Sequence, residues 1–200
     1  MTTPLVFPND GVVLVVVDLQ QAFLQPPYTT RERSTPQLEA NVTRLLSAFR
    51  LASLPVVHIH HHEPTPGTLF SPDSNPSTVL PQTYVTPLSH ESVVIKHGGS
   101  GFVGTSLEAL LRSKKWEVLV VVGMSTVHCV SSTVRHASNL GFQVYLPNDA
   151  CATFNRAAAP GSKVASQFDA ETMHAVALSA MHDECAMVVS TDEVLESLGA

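Results

Sequence analysis

Four short runs constrain the chain most: "VVLVVV" (12–17), "PVVHIH" (55–60), "VLVVV" (118–122) and "AMVVS" (186–190). They are β-branched and nearly continuous, whereas a strand with one wet face would alternate apolar and polar residues. Runs of this kind suit strands covered on both faces, as in a parallel sheet between helical layers. "SVVIK" (92–96) and "FQVYL" (142–146) are weaker examples. Helical patterns fall between them. Leu38, Val42, Leu45, Leu46 and Phe49 share one face, with Thr35 as cap and Pro36 in the first turn. "TSLE" (105–108) has the form of a capping box opening a helix through Leu111. Val130, Val134 and Ala137 stripe a further helix that Gly141 can end. Met173, Val176, Ala177 and Ala180 stripe another, and "STDE" (190–193) caps a short last one. Strands and helices alternating in this way predict a doubly wound α/β domain spanning residues 1–200.

One segment does not alternate. Residues 63–87, "EPTPGTLFSPDSNPSTVLPQTYVTP", are dense in Pro, Ser and Thr. A loop that long within a domain is usually functional, and it reads as a cover over a site or a subunit contact.

The totals narrow the function classes. Net charge is −6 with 11 Lys+Arg and no basic run, which argues against sequence-independent nucleic-acid binding. Three cysteines, Cys129, Cys151 and Cys185, form neither an even set nor a CxxC pair, so a disulfide framework or thiolate zinc site is disfavoured. The start "MTTPLVFPNDG" lacks a signal-peptide layout, and no apolar run approaches the ~18 residues of a membrane span. The expectation is a cytoplasmic protein with neither a membrane nor a nucleic-acid partner.

In an open parallel sheet, ligands bind outside the carboxyl ends of the strands. Three reactive residues fall there: Asp18 after "VVLVVV", Lys96 after "SVVI" and Cys129 just beyond "VLVVV". Each has a structural alternative. Asp18 can cap a turn, Lys96 can be a solvated charge, and Cys129 can be a small buried hydrophobe. Their convergence on one sheet edge favours chemistry. A helix N-terminus and a nearby lysine would lower the Cys129 thiol pKa from about 8.5. A carboxylate could take the thiol proton and pass it to a leaving amine.

The histidines offer a rival site. His58, His60, His61 and His62 lie in "HIHHHEP", and with Glu63 they are potential zinc ligands. Strand alternation sends His60 and His62 to one face and His61 to the other, so polar lining of a pocket or a hydrogen-bonded surface is the preferred reading. Neither GxGxxG nor GxxxxGK[ST] occurs, so no nucleotide cofactor is indicated.

"VVVDLQQAF", "VIKHGGSGFVGTSLEALL" and "GMSTVHCVSSTVRHASNLGFQVYLPNDACAT" closely resemble the isochorismatase-like cysteine hydrolases. "ETMHAVALSAMHDECAMVVSTDEVL" resembles their C-terminal segment. The resemblance implies a three-layer α/β/α fold around a six-stranded, mainly parallel sheet. It also implies an Asp18–Lys96–Cys129 triad and a cis peptide at Met124–Ser125. The Ser125 and Cys129 amides would form the oxyanion hole. True isochorismatases resemble this fold but commonly carry glycine in place of the cysteine, so Cys129 implies C–N hydrolysis through a thioester. Nicotinamidases carry an Asp-x-His metal motif where this chain reads His61-His62-Glu63.

The expectation is a metal-independent amidohydrolase of a small polar amide, with Phe23, Phe102 and His128 in the pocket. It would have no cofactor and would form a homo-oligomer, a dimer or tetramer. The alternatives are a nicotinamidase with an atypical zinc site at His60, His61, His62 or Glu63, and a catalytically idle oligomeric scaffold.

Overall fold

The apolar runs form the central sheet. In the computed structural model, which describes Phe7 and residues 11–199, they are β1 (Val12–Val17), β2 (Val56–His61), β3 (Ser92–Lys96), β4 (Val118–Met124) and β5 (Gln143–Pro147). Then come β6 (Cys151–Ala152), β7 (Arg156–Ala157), β8 (Gln167–Phe168) and β9 (Met187–Val189). The main order is β3-β2-β1-β4-β5-β9, and each neighbouring pair is parallel. The short β6 adds to the end of β4, which makes seven strands in the sheet rather than six. β7 and β8 form a separate antiparallel pair.

Every residue of β1 and β4 is buried, as their unbroken β-branched sequences require. One face packs against α1 (Leu38–Leu51) and α5 (Thr191–Ser197) through Leu14, Val16, Leu45, Phe49 and Val194. The other packs against α2 (Leu107–Lys114) and α3 (Ser131–Asn139) through Val15, Ile59, Leu111, Val134 and Ala137. α4 (Ala170–Ser179) lies near the turn that follows β4. Among the described residues, no helix is long and apolar enough to cross a membrane.

Several local expectations change. Thr35 does not cap α1: it adopts φ 57°, and the helix begins two residues past Pro36, with Gln37 as N-cap. No capping box opens α2, because the Thr105 hydroxyl accepts from Leu107 N at 3.2 Å while donating to the Gly101 carbonyl at 2.6 Å. The box at Ser190–Glu193 does form. The stripe on α4 is not its buried face. Ala170 and His174 point inward while Val176 is 63% exposed, because the helix is held by its polar His174 rather than by its apolar residues.

Candidate active site

The turn after β4 organises the site. Gly123 has φ 128°, and a Cβ there would fall 2.1 Å from the Val17 carbonyl oxygen, so only glycine lets the ends of β1 and β4 approach this closely. The Met124–Ser125 peptide is cis. Residues Thr126–Val130 then make one wide π-type turn before α3, so Cys129 lies in that turn rather than in the α-helix proper. The Ser125 carbonyl accepts from both His128 N (2.9 Å) and Val130 N (3.2 Å). Behind the turn, the Ser125 and Thr153 hydroxyls lie 2.6 Å apart, and buried His174 spans from the Thr126 hydroxyl (2.9 Å) to the Asn148 carbonyl (2.8 Å). This polar backing holds the turn from both sides.

Asp18, Lys96 and Cys129 meet here. Lys96, fully buried, places Nζ 2.8 Å from Asp18 Oδ2 and 3.2 Å from Cys129 Sγ. The Gly98 carbonyl (3.0 Å) and His61 Nδ1 (3.4 Å) complete its surroundings. Asp18 Oδ1 is buried with no hydrogen-bond partner. Burial raises the Asp18 pKa, and the Lys96 charge offsets part of that rise.

The thiol departs from expectation. Burial, with the Asp18 carboxylate adding to it, pushes Cys129 up to about 12 despite the pull of Lys96. Desolvation and the neighbouring anion outweigh the lysine, so the resting group is a thiol.

A cavity of about 300 Å³ opens above the sulfur. Phe23 and His128 line it, as expected. Phe102 does not. It is buried between α2 and α3, with its ring 5.8 Å from Phe142 and 5.2 Å from His136, because the glycine-rich turn after Lys96 carries the chain back over the sheet. Sequence reasoning missed Tyr28, Arg31, Phe70, Phe154 and Arg156, all of which line the cavity. The one signal available was large aromatics placed in otherwise polar loops. Phe70 comes from the 63–87 loop, which therefore supplies a wall of the pocket. Its far end is pinned where Gln20 Nε2 donates to the Val79 carbonyl at 2.8 Å.

The histidines divide as strand alternation requires. His58 Nε2 bonds Glu91 at 2.9 Å on the α1 side, where buried His60 also lies, while His61 lines the cavity. Burial takes His60 and His61 down to about 4. Among the described residues, no group of three His, Cys, Asp or Glu side chains is arranged to hold a metal ion.

The Isochorismatase domain matches residues 12–193 as a family model. The chain belongs to the isochorismatase family. YrdC of Bacillus subtilis (strain 168), an uncharacterized member of that family, is 33% identical over 182 residues, covering 91% of this chain and 93% of that protein. A streptothricin hydrolase of Streptomyces noursei is 36% identical over 147 residues, which is 74% of this chain but 51% of the relative. The solved structure of an isochorismatase-family hydrolase from Chromobacterium violaceum ATCC 12472 superposes with a TM-score of 0.91 at 36% identity, covering 100% of this chain and 99% of that one. The isochorismatase-family chain described here is a hydrolase of the same α/β architecture.

Proposed function

We infer that this isochorismatase-family enzyme is a cysteine hydrolase that cleaves a C–N bond in a small polar amide. The observation that carries the reading is Lys96 Nζ at 2.8 Å from Asp18 and 3.2 Å from the Cys129 sulfur, beneath a cavity that Asp18 and Cys129 line.

Asp18 takes the thiol proton as Sγ attacks the carbonyl carbon. The transfer accompanies attack, because the raised thiol pKa leaves little thiolate at rest. The Ser125 and Cys129 amides receive the oxyanion, an interaction worth about 3 kcal/mol in related settings. Lys96 keeps the carboxylate and the reacting sulfur in one field. Asp18 then returns the proton to the nitrogen, the C–N bond breaks, and ammonia or an amine departs. Water attacks the thioester, releasing the carboxylic acid and restoring the thiol.

The hydrolase named among the relatives is consistent with this class. A metal-dependent, nicotinamidase-like route gains no support from the histidines, since His58 and His60 face α1 while His61 faces the cavity. A catalytically idle scaffold would have no use for a fully buried lysine joining a carboxylate to a thiol. A homo-oligomer belongs to the same reading: Val176 on α4 is 63% exposed and Val103 59%, and light scattering should return a dimer or tetramer.

Ammonia release from a panel of small amides, with mass spectrometry of the intact protein, tests the chemistry. Turnover in Cys129→Ala should fall to below about one-thousandth while its melting temperature is kept. An acyl adduct should appear only when Cys129 is present. A fully active alanine variant would refute the assignment.

A further inference from the structure

Arg31 and Arg156 are brought together at the cavity mouth by backbone pairing. Arg33 bridges Phe154 in antiparallel fashion, Ser34 N donates to the Thr153 carbonyl (2.9 Å), and Asn155 N donates to the Glu32 carbonyl (3.0 Å). Two residues further along this register, Arg31 stands opposite Arg156. Like charges directly opposite one another are unfavourable unless something neutralises them. Among the described residues neither guanidinium enters an ion pair; Glu39, Asp192, Glu91 and Glu117 pair instead with Arg33, Arg44, Arg50 and Arg112. Arg31 contacts the Asn155 carbonyl and lies 5.2 Å from the centre of the Phe154 ring, while Arg156 contacts His128 Nε2. Both arginines line the cavity above Cys129 and also a second, outer cavity of about 390 Å³, so they stand at the boundary between the two. In a chain of net charge −6, two cations without an acidic partner among the described residues form a local field of the opposite sign.

The walls between this pair and the sulfur are aromatic. Phe23 lies 4.8 Å from Tyr28 and 5.3 Å from Phe70, and Tyr28 lies 5.2 Å from Phe154. A ligand that fills the space has its amide at Cys129, a flat or apolar body against the rings, and its far end at the guanidiniums. Guanidinium groups recognise carboxylates through charge-assisted, often bidentate, hydrogen bonds.

We propose that Arg31 and Arg156 form an anion subsite and that the substrate is a small amide bearing a carboxylate remote from the scissile bond. The substrate class rests on the C–N hydrolase reading; the anion subsite does not.

The experiment separates the two. Binding is measured by titration calorimetry on Cys129→Ala, which cannot turn over, with succinamate and 4-carbamoylbenzoate as probes against their methyl esters. At least one acid should bind about tenfold more tightly than its ester, equivalent to about 1.4 kcal/mol, and added salt should shrink that preference. In Arg31→Met/Arg156→Met on the same background the ratio should fall to about one, with each single variant in between. Equal binding of acid and ester, no binding of either acid, or a preference that survives the double substitution would each overturn the subsite. Turnover of the same amides by the enzyme with Cys129 intact reports on the hydrolase separately. Acid-selective binding with no amide cleaved across the wider panel would leave the subsite standing and remove the C–N reading.

Discussion

A lysine with no exposed surface must have its charge answered from within, and Lys96 is answered by the Asp18 carboxylate, the Gly98 carbonyl and the Cys129 sulfur. Replacing it with methionine leaves a buried carboxylate without its partner. Stability should drop by about 3 kcal/mol in denaturant titrations. The same loss has a kinetic signature. Asp18 is already raised above its ordinary value of 3.8 by burial, and Lys96 is what holds that rise in check. Asp18 acts as a base only when ionised, so kcat/KM should fall as pH drops through its raised pKa. Residual activity in Lys96→Met should show this acid limb at higher pH than the wild type. A limb that stays in place would mean that another group governs it. At this scale Asp18, Lys96 and Cys129 were legible in the sequence because strand ends are fixed by pattern. Arg31, Tyr28, Phe70 and Arg156 were not. They come from irregular segments whose side-chain directions depend on loop pairing rather than on any period.

Among the elements, the contact between β1 and β4 positions the chemistry. Gly123→Ala would drive a Cβ into the Val17 carbonyl, which is backbone and cannot swing aside. We expect a loss of about 3 kcal/mol or more, and displacement of the adjoining Asp18. Thermal unfolding together with turnover checks it, and an alanine variant of wild-type stability and rate would contradict the geometry. The helices illustrate what periodicity conveys. The apolar face of α1 is buried as its spacing demands, since Leu38, Val42, Leu45, Leu46 and Phe49 are all at most 1% exposed. In α4 the apolar stripe is only partly covered, with Met173 and Ala177 half-buried and Val176 and Ala180 exposed, because two hydrogen bonds of His174 outrank a weak hydrophobic pattern. Capping boxes behave the same way. One forms at Ser190, whose hydroxyl accepts from Glu193 N, and none forms at Thr105, whose hydroxyl accepts from Leu107 N instead of from Glu108 N.

Over the whole molecule, buried titratable groups outside the site set the response to acid. The Glu91 side chain is 2% exposed. Burial alone would raise its pKa, but Arg50 (2.8 and 2.9 Å), the Leu88 amide (2.8 Å) and His58 outweigh it and bring it to about 2. Its contribution is present above the unfolded value of 4.5 and is lost as pH falls toward 2. His60 works over a higher window. Burial, with His58 and His62 adding repulsion, lowers it from 6.5 to about 4, so between those values the unfolded chain binds a proton that the folded chain refuses. Stability should therefore decline from pH 6.5 to 4, and again below 4.5. His60→Gln should make the upper part of a melting-temperature profile shallower, with His61 still contributing over the same window, and leave the part below pH 4 unchanged. The sequence alone determined the doubly wound α/β class and the strand ends that carry Asp18, Lys96 and Cys129, because hydrophobic periodicity records which faces are covered and where a strand must stop. Tertiary structure alone decided the raised thiol pKa, the core position of Phe102, the aromatic walls and the facing arginines. Desolvation and contacts between distant loops depend on which atoms end up adjacent, and no local pattern in a chain encodes that.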